Sequence, residues 1–83
     1  MKLQVRYFAS IREALGLSET VEMPPGSTLG DLRGQLIARG GTHAQVLGRG
    51  KALRAAIDQA MAEESALLKD GAEVAFFPPV TGG

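Results

Sequence analysis

The first residues alternate between apolar and polar side chains. Within residues 2–9 the apolar positions Leu3, Val5 and Tyr7 are separated by polar residues. This period of two predicts a strand with one buried face. Phe8 interrupts the pattern, because it falls on the otherwise polar face.

A second strand is predicted at residues 18–23, which contain Thr20 and Val21 and run into the stop signal Pro24-Pro25-Gly26. The segment between the two strands, residues 10–16, predicts one short helical turn ended by Gly16. Two strands joined by so short a segment predict a hairpin.

A helix of about 13 residues is predicted next, because apolar residues recur at helical spacing. Ser27-Thr28 supplies N-cap oxygens, and Asp31 lies in the first turn, where the helix dipole favours negative charge. Gly40-Gly41 ends the helix, and Gly34 inside it indicates close packing on a sheet. The apolar stripe consists of Leu29, Leu32, Leu36 and Ile37.

The middle of the chain is less regular. Residues 42–50 predict little beyond one helical turn at 44–47. Residues 53–57 and 61–68 predict two short strands around a turn at Asp58-Gln59. Their alanines and leucines are also compatible with a helix, which stays open as the alternative.

The last strand is predicted at residues 72–77, after a turn at Lys69-Asp70-Gly71. Pro78-Pro79 ends it, because proline has no N–H to donate to a sheet. The order is strand, strand, helix, one or two strands, and a final strand. It predicts an α+β fold in two layers, with the sheet packed against one main helix.

Composition excludes several classes of function. The 83 residues contain nine basic and nine acidic side chains, one histidine and no cysteine. This length predicts one domain, and the absence of cysteine excludes disulfides, thiolate metal sites and a cysteine nucleophile. Zero net charge argues against a protein that binds nucleic acid or an anionic membrane. No apolar run approaches the roughly 20 residues of a membrane helix. The lack of cysteine favours a cytoplasmic protein, and the single histidine excludes a multi-histidine metal site, so we expect no bound metal.

Three groups of residues invite a catalytic interpretation, and none sustains it. Gly48-Arg49-Gly50-Lys51 lacks the hydroxyl residue and the first glycine of a phosphate-binding loop. The pair Glu63-Glu64 is interpreted as solvated surface charge. His43 is interpreted as a surface-loop residue, because no serine lies at a spacing that suggests a nucleophile.

The unusual feature is the segment FFPPVTGG at residues 76–83. Pro-Pro predicts an extended exit from the domain with little entropy to lose on binding. Gly82 and Gly83 allow the main chain to pass through a channel too narrow for a Cβ atom. The reactive group is then the α-carboxylate of Gly83, which needs no catalytic side chain from this protein.

The segment DGAEVAFFPPVTGG, residues 70–83, resembles the C-terminus of the small subunits of molybdopterin synthase, the MoaD-like sulfur carriers. VRYFASIREALG, residues 5–16, resembles the first strand and helical turn of that family. The resemblance covers the whole chain and fits least well at residues 40–50.

This resemblance implies a ubiquitin-like β-grasp fold, with the first and last strands adjacent and parallel in a mixed sheet. We expect residues 1–80 to form the domain and residues 81–83 a flexible reactive tail. It also implies that an E1-like adenylyltransferase activates Gly83 with ATP and that a sulfur donor system converts it to a thiocarboxylate. This chain would bind no cofactor itself.

The family further implies a large subunit that carries the catalytic side chains and receives the tail, in a two-plus-two heterotetramer. The chain would then be a sulfur-donating subunit, not a free-standing enzyme. Thr81 and Gly82 would pass along the tail channel. The expected docking residues on the domain and at the base of the tail are Phe8, Met61, Phe77, Pro78, Pro79 and Val80.

Two alternative functions use the same tail chemistry. One is a sulfur carrier for another pathway, such as thiamin, tRNA thiolation or cysteine synthesis. The other is a ubiquitin-like modifier that forms an isopeptide bond through Gly83. A third possibility is an interaction domain with an inert tail.

Overall fold

The computed structural model describes residues 1–79 and confirms the predicted α+β class. Its strands form one mixed sheet in the order β2-β1-β5-β3-β4. Within residues 1–79 no helix has the length and apolar character needed to cross a membrane. The elements in chain order are β1 (Lys2–Tyr7), α1 (Ala9–Leu15), β2 (Ser18–Glu22), α2 (Leu29–Ala38), α3 (Gly41–Leu47), β3 (Arg54–Ile57), β4 (Ala60–Ala62) and β5 (Glu73–Phe77).

The centre of the sheet is the parallel pair formed by β1 and β5. Its register runs from Gln4 opposite Glu73 to Tyr7 opposite Phe76. On one side β1 pairs with β2 in an antiparallel manner, as the predicted hairpin requires. On the other side β5 pairs with β3, and β3 pairs with β4, both antiparallel. The adjacent, parallel first and last strands that the family resemblance implied are confirmed.

Alternation along the two central strands builds the core. Leu3, Val5 and Tyr7 are fully buried, and Val74 and Phe76 face them from β5. The Tyr7 and Phe76 rings stack with centroids 6.4 Å apart. Burying a large apolar side chain contributes about 1.5–3 kcal/mol, so this pair of strands anchors the domain.

Helix α2 begins where the capping residues predicted. The Thr28 hydroxyl accepts a hydrogen bond from the Asp31 amide at 3.1 Å, and the Asp31 carboxylate accepts one from the Thr28 amide at 2.9 Å. The helix has 10 residues and ends before Gly40, which has a positive φ of 73°. Of the predicted stripe, Leu29, Leu32 and Leu36 are buried and Ile37 is partly buried.

The interpretation of Gly34 is wrong. A Cβ atom at Gly34 would meet only the Arg49 guanidinium, at an ordinary 3.5 Å, and no part of the sheet. Of the two glycines in α2 the crowded one is Gly30, where a Cβ would lie 3.2 Å from the Glu64 carbonyl oxygen and 3.1 Å from the Glu64 Cβ. Close approach therefore occurs between the first turn of α2 and the segment that follows β4.

Residues 41–62 correct the expectation of a single helical turn and confirm the strand interpretation with its turn at Asp58-Gln59. Residues 41–47 form the complete helix α3, not a single turn. The strand interpretation of the alanine-rich segment is confirmed and the helix alternative is wrong, since β3 pairs on both sides. Asp58 and Gln59 form the hairpin turn with φ values of 49° and 72°.

The strand predicted at residues 61–68, after the Asp58-Gln59 turn, is much too long, because β4 ends at Ala62. The residues that follow instead supply acceptors to the start of α2. The Leu29 amide donates to the Ala66 carbonyl at 2.9 Å, and the Gly30 amide donates to the Glu64 carbonyl at 2.9 Å. Because the first amides of a helix have no partner inside it, this segment is bound to α2 and does not continue the sheet.

Thr28→Ala should lower the free energy of unfolding by about 1 kcal/mol, because it removes the side chain that closes the capping box. Urea denaturation followed by circular dichroism measures the change. Thr42→Ala is the matched control, since Thr42 is exposed on α3, and it should change stability by no more than a few tenths of a kcal/mol. Equal losses in both variants would contradict a role for the cap.

Candidate functional site

The base of the tail, Pro78-Pro79, lies at the end of the central strand pair. β1 and β5 are parallel, so their carboxyl ends reach the same edge of the sheet. The Phe8 amide continues their pairing by donating to the Phe76 carbonyl at 3.1 Å. Pro78 and Pro79 follow β5 directly and are both partly buried. Pro78 and Pro79 therefore lie at the middle of the sheet, beside Phe8.

The remaining tail residues lie outside the described part of the chain. These are Val80, Thr81, Gly82 and Gly83. Activation of the Gly83 carboxylate, passage of Thr81 and Gly82 through a channel, and docking by Val80 remain predictions.

The sheet face opposite the helices carries a continuous apolar patch. Tyr7 lies opposite Phe76, so the next residues, Phe8 and Phe77, are neighbours on the outer face. The same face continues through paired positions on β5, β3 and β4. We call this set the sheet-face patch; it consists of Phe8, Phe77, Ala75, Ala56 and Met61. Its largest exposed members are Met61, 60% exposed, and Phe8, 37% exposed.

Charged residues border the sheet-face patch. The Arg6 guanidinium carbon lies 5.4 Å from the centroid of the Phe8 ring, a cation–π distance. Arg6 also pairs loosely with Glu73 at 3.8 Å, and Arg54 lies opposite Phe77 in the β3–β5 register. An apolar centre with a polar rim is the usual organisation of a protein–protein interface.

A buried arginine, which the sequence interpretation overlooked, organises the loop after α3. Arg33 is 7% exposed. Its Nε donates to the Leu47 carbonyl at 2.8 Å, and its Nη2 donates to the carbonyls of Gly48, at 2.8 Å, and Lys51, at 3.1 Å. Arg33 is four residues after Leu29, on the buried stripe of α2. A charged residue on this otherwise apolar stripe was the feature of the sequence that could have indicated a buried, hydrogen-bonded arginine.

Glu64 completes this arrangement and corrects its interpretation as a solvated charge. Its Oε2 accepts a hydrogen bond from Arg33 Nη1 at 3.1 Å, and its Oε1 pairs with Arg49. Arg49 also donates to the Gly30 carbonyl at 3.0 Å. Glu63 stays exposed, as expected. Of the acidic pair, Glu64 thus has a structural role and Glu63 is a surface charge.

His43 belongs to a second polar cluster and not to an exposed loop. It lies on α3, and its Nε2 is 3.0 Å from Glu19 Oε2. The Tyr7 hydroxyl donates to the same carboxylate oxygen at 2.7 Å, and Arg39 pairs with the other oxygen. The cluster joins the α2–α3 junction to the edge strand β2.

The cluster shifts two pKa values. Partial burial disfavours the charge of Glu19, but hydrogen bonds from His43, Tyr7 and Arg39 outweigh it and lower the pKa from 4.5 to about 2. Burial and the bond to Glu19 raise the pKa of Tyr7 above its ordinary value. No group of three or more metal-ligating side chains occurs within residues 1–79.

Comparison with known proteins places the chain in a family. The model of the ThiS family matches residues 5–83. The molybdopterin synthase sulfur carrier subunit of Escherichia coli strain K12 is 41% identical over 81 residues, which cover 98% of this chain and 99% of that protein.

Two solved structures share the fold over the same length. A putative molybdopterin converting factor subunit 1 from Pyrococcus furiosus has a TM-score of 0.78 at 31% identity and covers 96% of this chain and 99% of that one. A chain in the complex of subunits 1 and 2 of the molybdopterin-converting factor from Helicobacter pylori has a TM-score of 0.71 at 25% identity, with 100% of both chains covered.

The Glu19 cluster predicts acid sensitivity. A carboxylate with a depressed pKa contributes stability that is complete above its unfolded pKa, ordinarily 4.5, and is lost as pH falls toward about 2. The free energy of unfolding should therefore fall between about pH 5 and 2, and Glu19→Gln should flatten this slope. Urea denaturation at several pH values measures it. Glu22→Gln, at an exposed position of the same strand, should keep the wild-type slope. The same slope in all three proteins would show that the Glu19 cluster does not cause the acid sensitivity.

Proposed function

The chain belongs to the ThiS family, and we propose from this that it is the sulfur carrier subunit of molybdopterin synthase. The observation that carries the proposal is the full-length match to curated proteins of that name. The described residues support it: Pro78-Pro79 follow the central strand β5 directly and lie beside an exposed apolar patch. A carrier needs these two features, a tail that leaves the domain and a surface that holds the domain on its partner.

The first step in the proposed cycle activates the tail. A carboxylate is a poor electrophile, so the Gly83 oxygen must first attack the α-phosphorus of ATP, which forms an acyl adenylate and releases pyrophosphate. An E1-like adenylyltransferase would supply the ATP site. This chain contributes the carboxylate and the two glycines whose lack of Cβ atoms lets the tail enter a narrow channel.

Sulfur then enters and leaves at the same carbon. Sulfide from a donor system displaces AMP and forms the Gly83 thiocarboxylate directly. A persulfide donor would displace AMP to form an acyl disulfide, and a thiol would then cleave its S–S bond, which releases the thiocarboxylate and leaves a disulfide on the donor. The ionised thiocarboxylate sulfur is the nucleophile: it forms a bond to a side-chain carbon of the cyclic pyranopterin precursor, and the oxygen substituent on that carbon leaves. Hydrolysis of the resulting acyl–sulfur bond restores the Gly83 carboxylate and leaves the sulfur on the pterin, where two such transfers build the dithiolene.

The proposed partner at the transfer step is the large subunit of molybdopterin synthase. The sheet-face patch supports this, because an aromatic side chain can bury about 150–250 Å², a substantial part of the ~800 Å² that each partner contributes to an ordinary interface. We propose the two-plus-two heterotetramer and a cytoplasmic location as parts of the same assignment. The catalytic side chains would belong to the large subunit.

The alternative carriers and the ubiquitin-like modifier use the same activated glycine. Mass spectrometry separates a carrier from a modifier. Conversion of the terminal carboxylate to a thiocarboxylate adds about 16 Da, as exchange of oxygen for sulfur requires, whereas a modifier leaves branched Gly-Gly on target lysines. Sulfur transfer to a precursor other than the pyranopterin would identify another pathway.

The tail provides the decisive prediction. Deletion of Gly83, or extension of the chain by one residue, should abolish dithiolene formation in a single-turnover assay with the large subunit, because the activated carboxylate is displaced. Gly82→Ala should lower the rate steeply if a channel wall excludes its Cβ. Circular dichroism should show an unchanged fold, since the substituted positions lie beyond the last strand. Full sulfur transfer by an unprocessed, extended chain would refute the carrier assignment.

The patch provides a second prediction. Phe77→Ala should weaken binding to the large subunit by about 2 kcal/mol or more, as loss of an interface anchor does, while the domain stays folded. Isothermal titration calorimetry measures the affinity. Leu67→Ala is the matched control, because Leu67 is 68% exposed but lies outside the sheet-face patch. Unchanged affinity for Phe77→Ala would remove the patch from the interface.

A further inference from the structure

A groove of about 360 Å³ lies on the side of the tail base that faces the helices. Pro78 and Pro79 form part of its wall, and Ile11, Val46 and Leu53 contribute apolar surface from α1, α3 and the approach to β3. We call it the tail-base groove. The sheet-face patch lies on the opposite face of the sheet and reaches the same point through Phe8 and Phe77. The base of the tail therefore has an apolar surface on each side.

Lys51 is the charged residue in the wall of this groove. Its side chain is exposed, yet its backbone is held from two directions. The Lys51 amide donates to the Gly48 carbonyl at 2.9 Å, and the Lys51 carbonyl accepts from the buried Arg33 at 3.1 Å. Burying a guanidinium is costly unless its donors are satisfied, so Arg33 and its acceptors form a built support. This support fixes the position of the Lys51 backbone, from which the side chain with its ammonium group extends.

The charge of Lys51 is not neutralised within the described chain. The ion pairs among residues 1–79 do not include Lys51. The other residues that line the tail-base groove are apolar or uncharged, including Ser10 and Gln45. A complementary ligand would therefore combine an apolar group for the floor of the groove with a carboxylate for the ammonium.

We propose that the tail-base groove is a second contact site for the large subunit, which places an apolar side chain in the groove and an adjacent Asp or Glu against Lys51. The inference rests on the proposed function, since it concerns the partner that receives the tail. The groove is continuous with the proposed interface at the base of the tail. Contacts on both faces would hold Pro78-Pro79 in one direction, which contact with the sheet-face patch alone would not do.

The test compares two charge reversals at exposed lysines. Lys51→Glu should weaken binding to the purified large subunit about tenfold, because it places like charges together. Lys69→Glu is the matched control, since Lys69 precedes β5 at the opposite end of that strand and should change the affinity by less than about twofold. Both variants change the net charge equally. The dissociation constant for wild type should also rise with salt more steeply than that for Lys51→Glu.

A second measurement reports on the groove itself. In wild-type carrier, the methyl resonances of Val46 and Leu53 should shift when the large subunit is added. The same resonances in the free protein should move much less when residues 80–83 are deleted. A shift on deletion as large as that caused by the partner would assign the groove to the chain's own tail and overturn the proposal.

The other outcomes are equally distinct. If Phe77→Ala weakens binding but Lys51→Glu does not, the proposed function stands and the groove contact is wrong. Equal effects of Lys51→Glu and Lys69→Glu would indicate only long-range attraction and would also overturn it. Slower adenylation with unchanged affinity for the large subunit would assign the groove to the activating enzyme instead. Failure of wild type to bind the large subunit at all would overturn both proposals.

Discussion

The parallel pairing of β1 with β5 is the constraint on which the rest of this structure depends. Two parallel neighbours cannot be joined by a tight turn, so almost the whole chain between Tyr7 and Glu73 serves as the connection. That connection supplies the three helices and the outer strands. The pairing also sends both strands to one edge, where Phe8, α1 and Pro78 meet. The position of Pro78-Pro79 and the surfaces beside them thus follow from the same strand pairing.

Polar supports complete what a small core cannot provide. A domain of this size buries only about 60% of the surface of its unfolded chain, and its β3–β4 hairpin is made largely of alanine, which buries little area. Arg33 compensates locally by donating to three carbonyls, one at the end of α3 and two in the loop after it. Glu64 holds Arg33 and Arg49 together. These bonds give fixed geometry to residues 47–51, where apolar packing alone would leave a mobile loop.

Sequence patterns were sufficient where one local rule dominated. The alternation of Leu3, Val5 and Tyr7 and the capping pair Thr28 and Asp31 specify their elements within a few residues, and the structure confirms both. The sheet-face patch could also be predicted from the sequence, because Phe8 interrupts an otherwise polar face of β1.

Tertiary contacts decided the remaining elements. The segment after Ala62 has strand-like composition, but it is bound by the unpaired amides of α2, which lie over thirty positions earlier in the chain. Glu19 and His43 form their contact across 24 positions, and no periodicity encodes such a pairing. Arg33 differs from both, because its place on the buried stripe of α2 was visible in the sequence.

The tail chemistry explains why the surfaces of the domain matter more than its size suggests. In the proposed function the reacting group is one carboxylate or thiocarboxylate on a glycine, which offers a partner few atoms to recognise. Binding energy from remote contacts must therefore hold the tail in place, as it does for any small reacting group on a large substrate. Since Gly-Gly termini are chemically alike, discrimination between carriers has to come from the folded domain. In this chain the surfaces that adjoin Pro78-Pro79 are the sheet-face patch and the tail-base groove. Contacts on both faces of the sheet would restrict the direction of Pro78-Pro79 more than contacts on one.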